Sequence, residues 1–344
     1  MLKYVDNPAV RFVISVVRWL PVLFIFAVLC WAYYAYVVQL CLHTTLHYFE
    51  RIIFLTGFHL LLLFFLWSYY KTVFTPVGKP QKIFYLPSEV KREMQGAGSD
   101  QDCSAILDRF VRQHQIPVTN RAFDGTIRYC NKCSCIKPDR SHHCSVCGHC
   151  VLKFDHHCPW VNTCVNYRNY KFFVQFLGYG FLLCLWGFFS DMPYFIGFWK
   201  SSLRTDDGVG RFHILFLFFV SGMFSVSLSC LFFYHLYLTA HNQSTIESFR
   251  PPIFTYGADK NAYNLGIRRN FAEIFGHTPT SITPVLLSPF FCKLALHAHL
   301  DTFSCGDGVH YPQNSSPDVQ QSSLKPYVRQ SGSLMLLFIS TLLS

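Results

Sequence analysis

Four stretches of the chain contain no Asp, Glu, Lys or Arg: residues 19–38, 52–70, 172–190 and 212–239. As helices rising 1.5 Å per residue, each is long enough to cross about 30 Å of hydrocarbon. Buried core helices of a soluble protein rarely keep four such runs free of charge, so the pattern predicts four membrane-spanning helices. The first run is too long for a signal-peptide core and no small-residue cleavage site follows it. It reads as a retained anchor.

Between the runs the pattern changes. Pro76, Gly78 and Pro80 stop the second helix, and residues 86–120 turn polar and mixed in charge. Within them Ile106, Phe110 and Val111 mark one amphipathic helix, facing either the membrane surface or the rest of the loop. After the fourth run, residues 239–276 read as a polar tail. Residues 277–344 are rich in Ser, Pro and His and read as mostly irregular, with a last apolar run, 334–343, too short to span. The organisation expected is therefore 1–70 (stub and first two spans), 71–171 (a large loop, its core at 128–170), 172–239 (spans three and four) and 240–344 (tail).

Charge sets the orientation. The loop 71–171 holds fifteen Lys/Arg against eight Asp/Glu, the stub carries Lys3, Arg11 and Arg18, and the short loop 41–51 has only Arg51 and Glu50. Positive loops stay cytosolic, which predicts both termini and the large loop in the cytosol. The net charge of +10 then reports orientation and anionic headgroups, with no nucleic acid required. On the cytosolic side the sequons at Asn242 and Asn314 are expected to stay unmodified.

Composition adds one decisive feature. Of fifteen cysteines, eight crowd into 130–164, in a loop where disulfides are rare and metal binding or catalysis is the better reading. Cys130, Cys133, His143 and Cys150 are each followed, fourteen residues on, by Cys144, Cys147, His157 and Cys164. Both sets read C-x2-C-x9-H-x6-C and they interleave. Three thiolates and one imidazole form a donor set that holds structural Zn²⁺ tetrahedrally at about 2.1–2.3 Å. Two zinc ions would supply folding energy that so short a segment cannot draw from an apolar core.

One thiol is left over at a ligand-like position. Cys158 falls fourteen residues after Cys144, where a third unit would begin, but that unit needs a cysteine at 161 and finds Val161. Neither four-ligand site keeps an open position for a substrate, so any chemistry falls to the free thiol. His156 lies two residues before it and Asp155 three before, with the ligand His157 fixing the backbone between them. A histidine activates the thiol, and a carboxylate on its other nitrogen sets the tautomer.

The run Asp155-His156-His157-Cys158-Pro159-Trp160 resembles the DHHC family of protein S-acyltransferases. The likeness covers roughly residues 13–276. It includes Arg128-Tyr129-Cys130, Ile136-Lys137-Pro138-Asp139-Arg140, Asn169-Tyr170-Lys171-Phe172-Phe173, and Ser244-Thr245-Ile246-Glu247, which has Ser at the first position of the family's Thr-Thr-x-Glu. Asn270-Phe271 with Phe275-Gly276 looks like the family's aromatic C-terminal motif. Two departures are Thr75-Pro76-Val77-Gly78 in place of Asp-Pro-Gly, and residues 277–344, which lie outside the resemblance.

The resemblance implies an all-α integral membrane protein with four transmembrane helices and a cytosolic zinc-stabilised cysteine-rich domain between helices 2 and 3. It implies a palmitoyltransferase in which Cys158 takes a long-chain acyl group from palmitoyl-CoA and passes it to cytosolic cysteines of membrane-associated proteins. His156 would act as base and Asp155 as its orienter. Lys137 and Arg140 would meet the CoA phosphates, and Trp160 would line the chain's entrance. The commonest family address is the Golgi or another endomembrane, with the plasma membrane next.

Other classes fit less well. A membrane ubiquitin ligase would carry Cys/His pairs at a different cross-brace spacing and needs no spare thiol. A catalytically silent zinc scaffold could lose Cys158 or His156, yet both are present. A zinc-finger DNA reader lacks its compact basic recognition helix.

Overall fold

The computed structural model describes residues 7–200, 208–276 and 307–314. The first helix starts where its caps say it should. The Asn7 side chain accepts from the Ala9 N–H, and Pro8 takes the first helical position, where its missing N–H costs nothing. Helix α1 (Pro8–Tyr33) runs on as wider π-helical turns through Tyr34–Thr44. Helices α2 (Tyr48–Phe74), α5 (Tyr170–Trp199) and α6 (Gly208–His241) are the other long ones. These four are long and apolar enough to cross a membrane, and each outruns its charge-free stretch.

Helix α5 is the most buried of the four and packs between α2 and α6. Gly180 makes that crossing close: a Cβ there would meet Phe65 of α2 at 3.1 Å and Leu228 of α6 at 3.2 Å. Small residues at such crossings let helices pack where water provides no driving force between them. Away from these seams Phe12, Leu23, Leu63, Phe216 and Val226 stay exposed, as side chains facing hydrocarbon should.

Between α2 and α5 lie two short helices, α3 (Ser88–Gln95) and α4 (Asp100–Gln113), and then three antiparallel hairpins. The hairpins are β1–β2 (Tyr129–Cys130, Cys135–Ile136), β3–β4 (His142–Cys144, His149–Val151) and β5–β6 (His156–Cys158, Thr163–Val165). They repeat at the fourteen-residue interval of the sequence, for Tyr129 faces Ile136, His143 faces Cys150 and His157 faces Cys164. Each tip needs one residue at positive φ in the same place: Ser134 at 51°, Gly148 at 73° and Asn162 at 48°.

The amphipathic helix packs on this domain. Leu107 and Phe110 of α4, with Val111 packed alongside, join Phe84, Ile127, Ile136 and Leu152 in a core separate from the membrane one. The polar tail after α6 is ordered on the same domain. It forms α7 (Thr245–Phe249), the hairpin β7–β8 (Ile253–Phe254, Gly257–Ala258) and α8 (Ile267–Phe275). Asn270 ties α8 to the end of α6, its amide donating to the Ala240 carbonyl at 2.7 Å.

The stretch 307–314 is irregular, as expected, yet it packs on the folded domain. Val309 enters the core of Phe84 and Leu152, Tyr311 lies 5.1 Å over the Arg140 guanidinium, and Gln313 donates to Thr119 at 2.8 Å. The reading of 277–306 and 315–344, with the run at 334–343, lies outside the described residues.

Candidate active site and metal centres

Each metal-type cluster is built from two successive hairpins. Cys130 and Cys133 come from the first tip, His143 and Cys150 from the cross-strand pair of the second hairpin. Cys144 and Cys147 come from the second tip, His157 and Cys164 from the pair of the third. The donor atoms in each set lie within 4.8 Å of one another. His143 Nδ1 is 3.5 Å from Cys130 Sγ, 3.2 Å from Cys133 Sγ and 4.0 Å from Cys150 Sγ. His157 Nδ1 is 3.7, 3.5 and 3.5 Å from the sulfurs of Cys144, Cys147 and Cys164. A tetrahedral ion with bonds of about 2.1–2.3 Å sets its ligands about 3.5–3.8 Å apart, so both sets fit a metal.

The third hairpin has a tip and no fourth hairpin to close it. Cys158 stands where Cys130 and Cys144 stand in theirs, and the turn that follows, Pro159–Val161 with Asn162 at positive φ, has kept the shape and lost the second cysteine. The side-chain period of a strand completes the site. On β5, His157 points to its metal-type cluster, while His156 and Cys158 share the opposite face. There Cys158, only 3% exposed, joins the apolar membrane cluster with Tyr69, Val161, Phe173 and Phe176.

His156 is held by its carboxylate neighbour. Its Nδ1 lies 2.6 Å from Asp155 Oδ2, leaving Nε2 with no nitrogen or oxygen partner and the Cys158 thiol beside it. Asp155 in turn accepts the Thr245 backbone N–H and hydroxyl, both at 2.8 Å. Burial would favour the neutral ring of His156, but Asp155 and the Cys158 thiol outweigh it and push the imidazole up to about 10. Burial likewise opposes the Asp155 charge, and the His156 and Thr245 donors overcome it, bringing the carboxyl to about 2. Both shifts favour the charged forms, so the carboxylate is placed to stabilise the imidazolium that forms when His156 takes up a proton.

Thr245 is placed by a capping box. Ser244 accepts from the Glu247 N–H, while the Glu247 carboxylate accepts from the Ser244 N–H at 2.9 Å. The Glu247 carboxylate is also gripped by Arg140, at 2.8 Å from Nε and 2.6 Å from Nη2. This corrects the expectation that Arg140 meets the CoA phosphates. Its side chain is fully buried, its remaining donors go to Asn242, and Tyr263 and Tyr311 cover the guanidinium faces. Desolvation opposes so deep a charge, and the Glu247 carboxylate with four hydrogen bonds to the guanidinium offsets it.

Lys137 follows β2 and is half-buried, apart from this network. Trp160 stays 38% exposed on the third tip, its ring 6.3 Å from Phe24 of α1 and its carbonyl accepting from Tyr69 of α2 at 2.9 Å. Of the site's other neighbours, Tyr170 falls in the Asn169–Phe173 run of the family resemblance, whereas His235 gives no signal in the sequence, because it is one polar residue in an apolar run. The spacing Ser244-x-x-Glu247 is legible as a cap, but nothing local says that the helix it starts reaches Asp155.

Comparison with known proteins agrees with this geometry. The DHHC palmitoyltransferase profile matches residues 124–251, which contain all three hairpins and α7. The chain is 43% identical over 312 residues to palmitoyltransferase ZDHHC2 of Danio rerio, covering 90% of this chain and 81% of that one. It is 44% identical over 325 residues to human palmitoyltransferase ZDHHC20, covering 92% and 84%. Against palmitoyltransferase ZDHHC15 of Xenopus laevis the identity is 43% over 297 residues, 86% and 82% of the two chains. With four membrane-length helices, two interleaved Cys/His clusters and a spare thiol beside a His–Asp pair, this multi-pass membrane protein belongs to the DHHC palmitoyltransferase family.

Proposed function

We propose that this protein S-acyltransferase carries its acyl group on Cys158, with His156 as base and Asp155 as the orienter of His156. The observation that supports this reading most directly is the position of Cys158. It lies outside both donor sets, on the His156 face of β5 and inside the apolar cluster that continues into the membrane. In the first step the Cys158 proton passes to His156 Nε2, and the thiolate attacks the thioester carbonyl of a long-chain acyl-CoA. The bond from that carbonyl to the CoA sulfur breaks, and CoA leaves with the proton. In the second step a cysteine thiol of a protein substrate gives its proton to His156 and attacks acyl-Cys158, which returns to the free thiol. Burying the acyl chain contributes about 0.8 kcal/mol per CH₂, which favours palmitoyl over short donors.

Zinc is the metal that a Cys₃His set in a reducing compartment favours, and it would serve structure only, because each set has four protein donors. Lys137 remains the candidate for the CoA phosphates and Trp160 for the chain's entrance. The Lys/Arg excess of residues 71–171 supports a cytosolic active site with both termini on that side. The family resemblance favours the Golgi or another endomembrane, with the plasma membrane next. The division into 1–70, 71–171, 172–239 and 240–344 is kept with one amendment: residues 242–275 and 307–314 belong to the folded cytosolic unit.

The testing experiment is labelling with a radioactive palmitoyl-CoA. The purified chain should become labelled, neutral hydroxylamine should remove the label, and Cys158→Ser should abolish it with the metal content intact. A Cys158→Ser protein that labels at the wild-type rate overturns the reading.

A further inference from the structure

Helix α6 brings a second buried histidine to the site. His235 is completely buried, its ring 5.9 Å from the His156 ring and edge-on to Phe173 at 5.1 Å, while Phe173 is also edge-on to His156 at 5.3 Å. One ring nitrogen of His235, one of His156 and a carboxylate oxygen of Asp155 all lie within 4.8 Å of one another. The Tyr170 hydroxyl, at the start of α5, is 3.1 Å from His235 Nδ1, and His235 Nε2 has no hydrogen-bond partner among the described residues. Packing does not explain this choice. An apolar side chain would fill the same space without leaving a ring nitrogen unpaired in a buried site.

We propose that His235 is a positioning residue for the transfer reaction, its neutral ring oriented by Tyr170 so that its N–H dipole supports the Asp155 carboxylate that orients His156. The Tyr170 hydroxyl proton has two acceptors on His235, Nδ1 at 3.1 Å and the backbone carbonyl at 3.5 Å; given to the nearer one, it leaves the ring proton on Nε2. Asp155 then feels a donor dipole from α6 in addition to its three hydrogen bonds, from His156 Nδ1 and from the Thr245 backbone and hydroxyl. In a site closed to water such a dipole acts over this range with little screening. A carboxylate held in place and charged keeps His156 aimed at Cys158 through the proton transfers, so loss of His235 is felt in the chemical steps and not in acyl-CoA binding. A metal ion at Asp155, His156 and His235 is not proposed, because it would consume the base that the reaction uses.

This inference rests on the reading of Cys158 and His156 as the reacting pair, and its test separates the two. The full-length chain is reconstituted in lipid nanodiscs, and turnover of palmitoyl-CoA is measured as a function of its concentration. His235→Leu should lower kcat roughly tenfold with KM for palmitoyl-CoA and zinc content unchanged, and His235→Gln, which restores an N–H donor, should recover most of the loss. Tyr170→Phe keeps the packing and removes the group that orients the ring, so it should lower kcat in the same direction even if His235→Leu fails to fold. A wild-type kcat in both His235→Leu and Tyr170→Phe overturns the inference, as does a His235→Gln enzyme as slow as His235→Leu. A rise in KM alone also overturns it, since that assigns His235 to the acyl pocket. If Cys158→Ser retains turnover in the same assay, the underlying reading fails instead.

Discussion

At the scale of single residues, alternation along β5 separates three neighbours of like chemistry. His157 faces the Cys144, Cys147 and Cys164 sulfurs, while His156 and Cys158 face Asp155 and the membrane cluster. Two alanine substitutions one position apart should therefore fail in different ways. His156→Ala should keep both metal ions and slow autoacylation by roughly 10²–10⁴, the usual contribution of a general base. His157→Ala should lose one metal ion and the local fold together, seen as a lower zinc content and a lower melting temperature. Equal zinc loss in the two variants would contradict the strand geometry. Thr245→Val removes one of the hydrogen bonds to Asp155 and leaves the backbone one. It should slow labelling about fivefold, the equivalent of about 1 kcal/mol.

At the scale of elements, the tail after α6 turns from a connector into a support for the active site. Arg140 holds Glu247, Glu247 closes the cap of α7, and the cap sets Thr245 on Asp155. Arg140→Ala leaves a carboxylate buried without its partner and should destabilise the protein by about 3–5 kcal/mol, read in a thermal melt. A normal melt with only a raised KM for palmitoyl-CoA would instead return Arg140 to the phosphates. Tyr311 caps the same guanidinium from a part of the chain that shows no pattern in sequence. Tyr311→Ala should cost about 2–4 kcal/mol by opening a cavity beside Arg140 and Tyr263. The cysteine-histidine repeat was legible in advance and these supports were not. A repeat of cysteines writes its own spacing into the sequence, but the partner of a buried ion pair 107 residues away leaves no such trace.

At the scale of the whole molecule, there are two cores: the one in the spans takes in Cys158, Val161 and Val165 of the third hairpin, and the other lies under α4 and the first hairpin. Elemental analysis should find two zinc ions per chain, and their removal by a chelator should abolish labelling although Cys158 is no ligand, because the hairpin that carries it is closed by the second ion. Tags at both termini and at Gly96 should be accessible only after permeabilisation, and a tag at 41–51 should behave oppositely; surface labelling of the Gly96 tag would reverse the orientation. The sequence by itself determined the four membrane-length helices and the two donor sets. Both are local: a span is set by a continuous apolar run, and a metal site by the spacing of its ligands along one short segment. It also located Cys158, as the member of the repeat with nothing to bind. Only the tertiary structure decided that α4 covers the hairpins, that Arg140 is internal, and that Thr245, His235 and Tyr311 gather around Asp155 and its supports. Those outcomes depend on which surfaces meet when distant segments pack, and a single polar residue in an apolar helix or a polar tail carries no period from which its partner can be read.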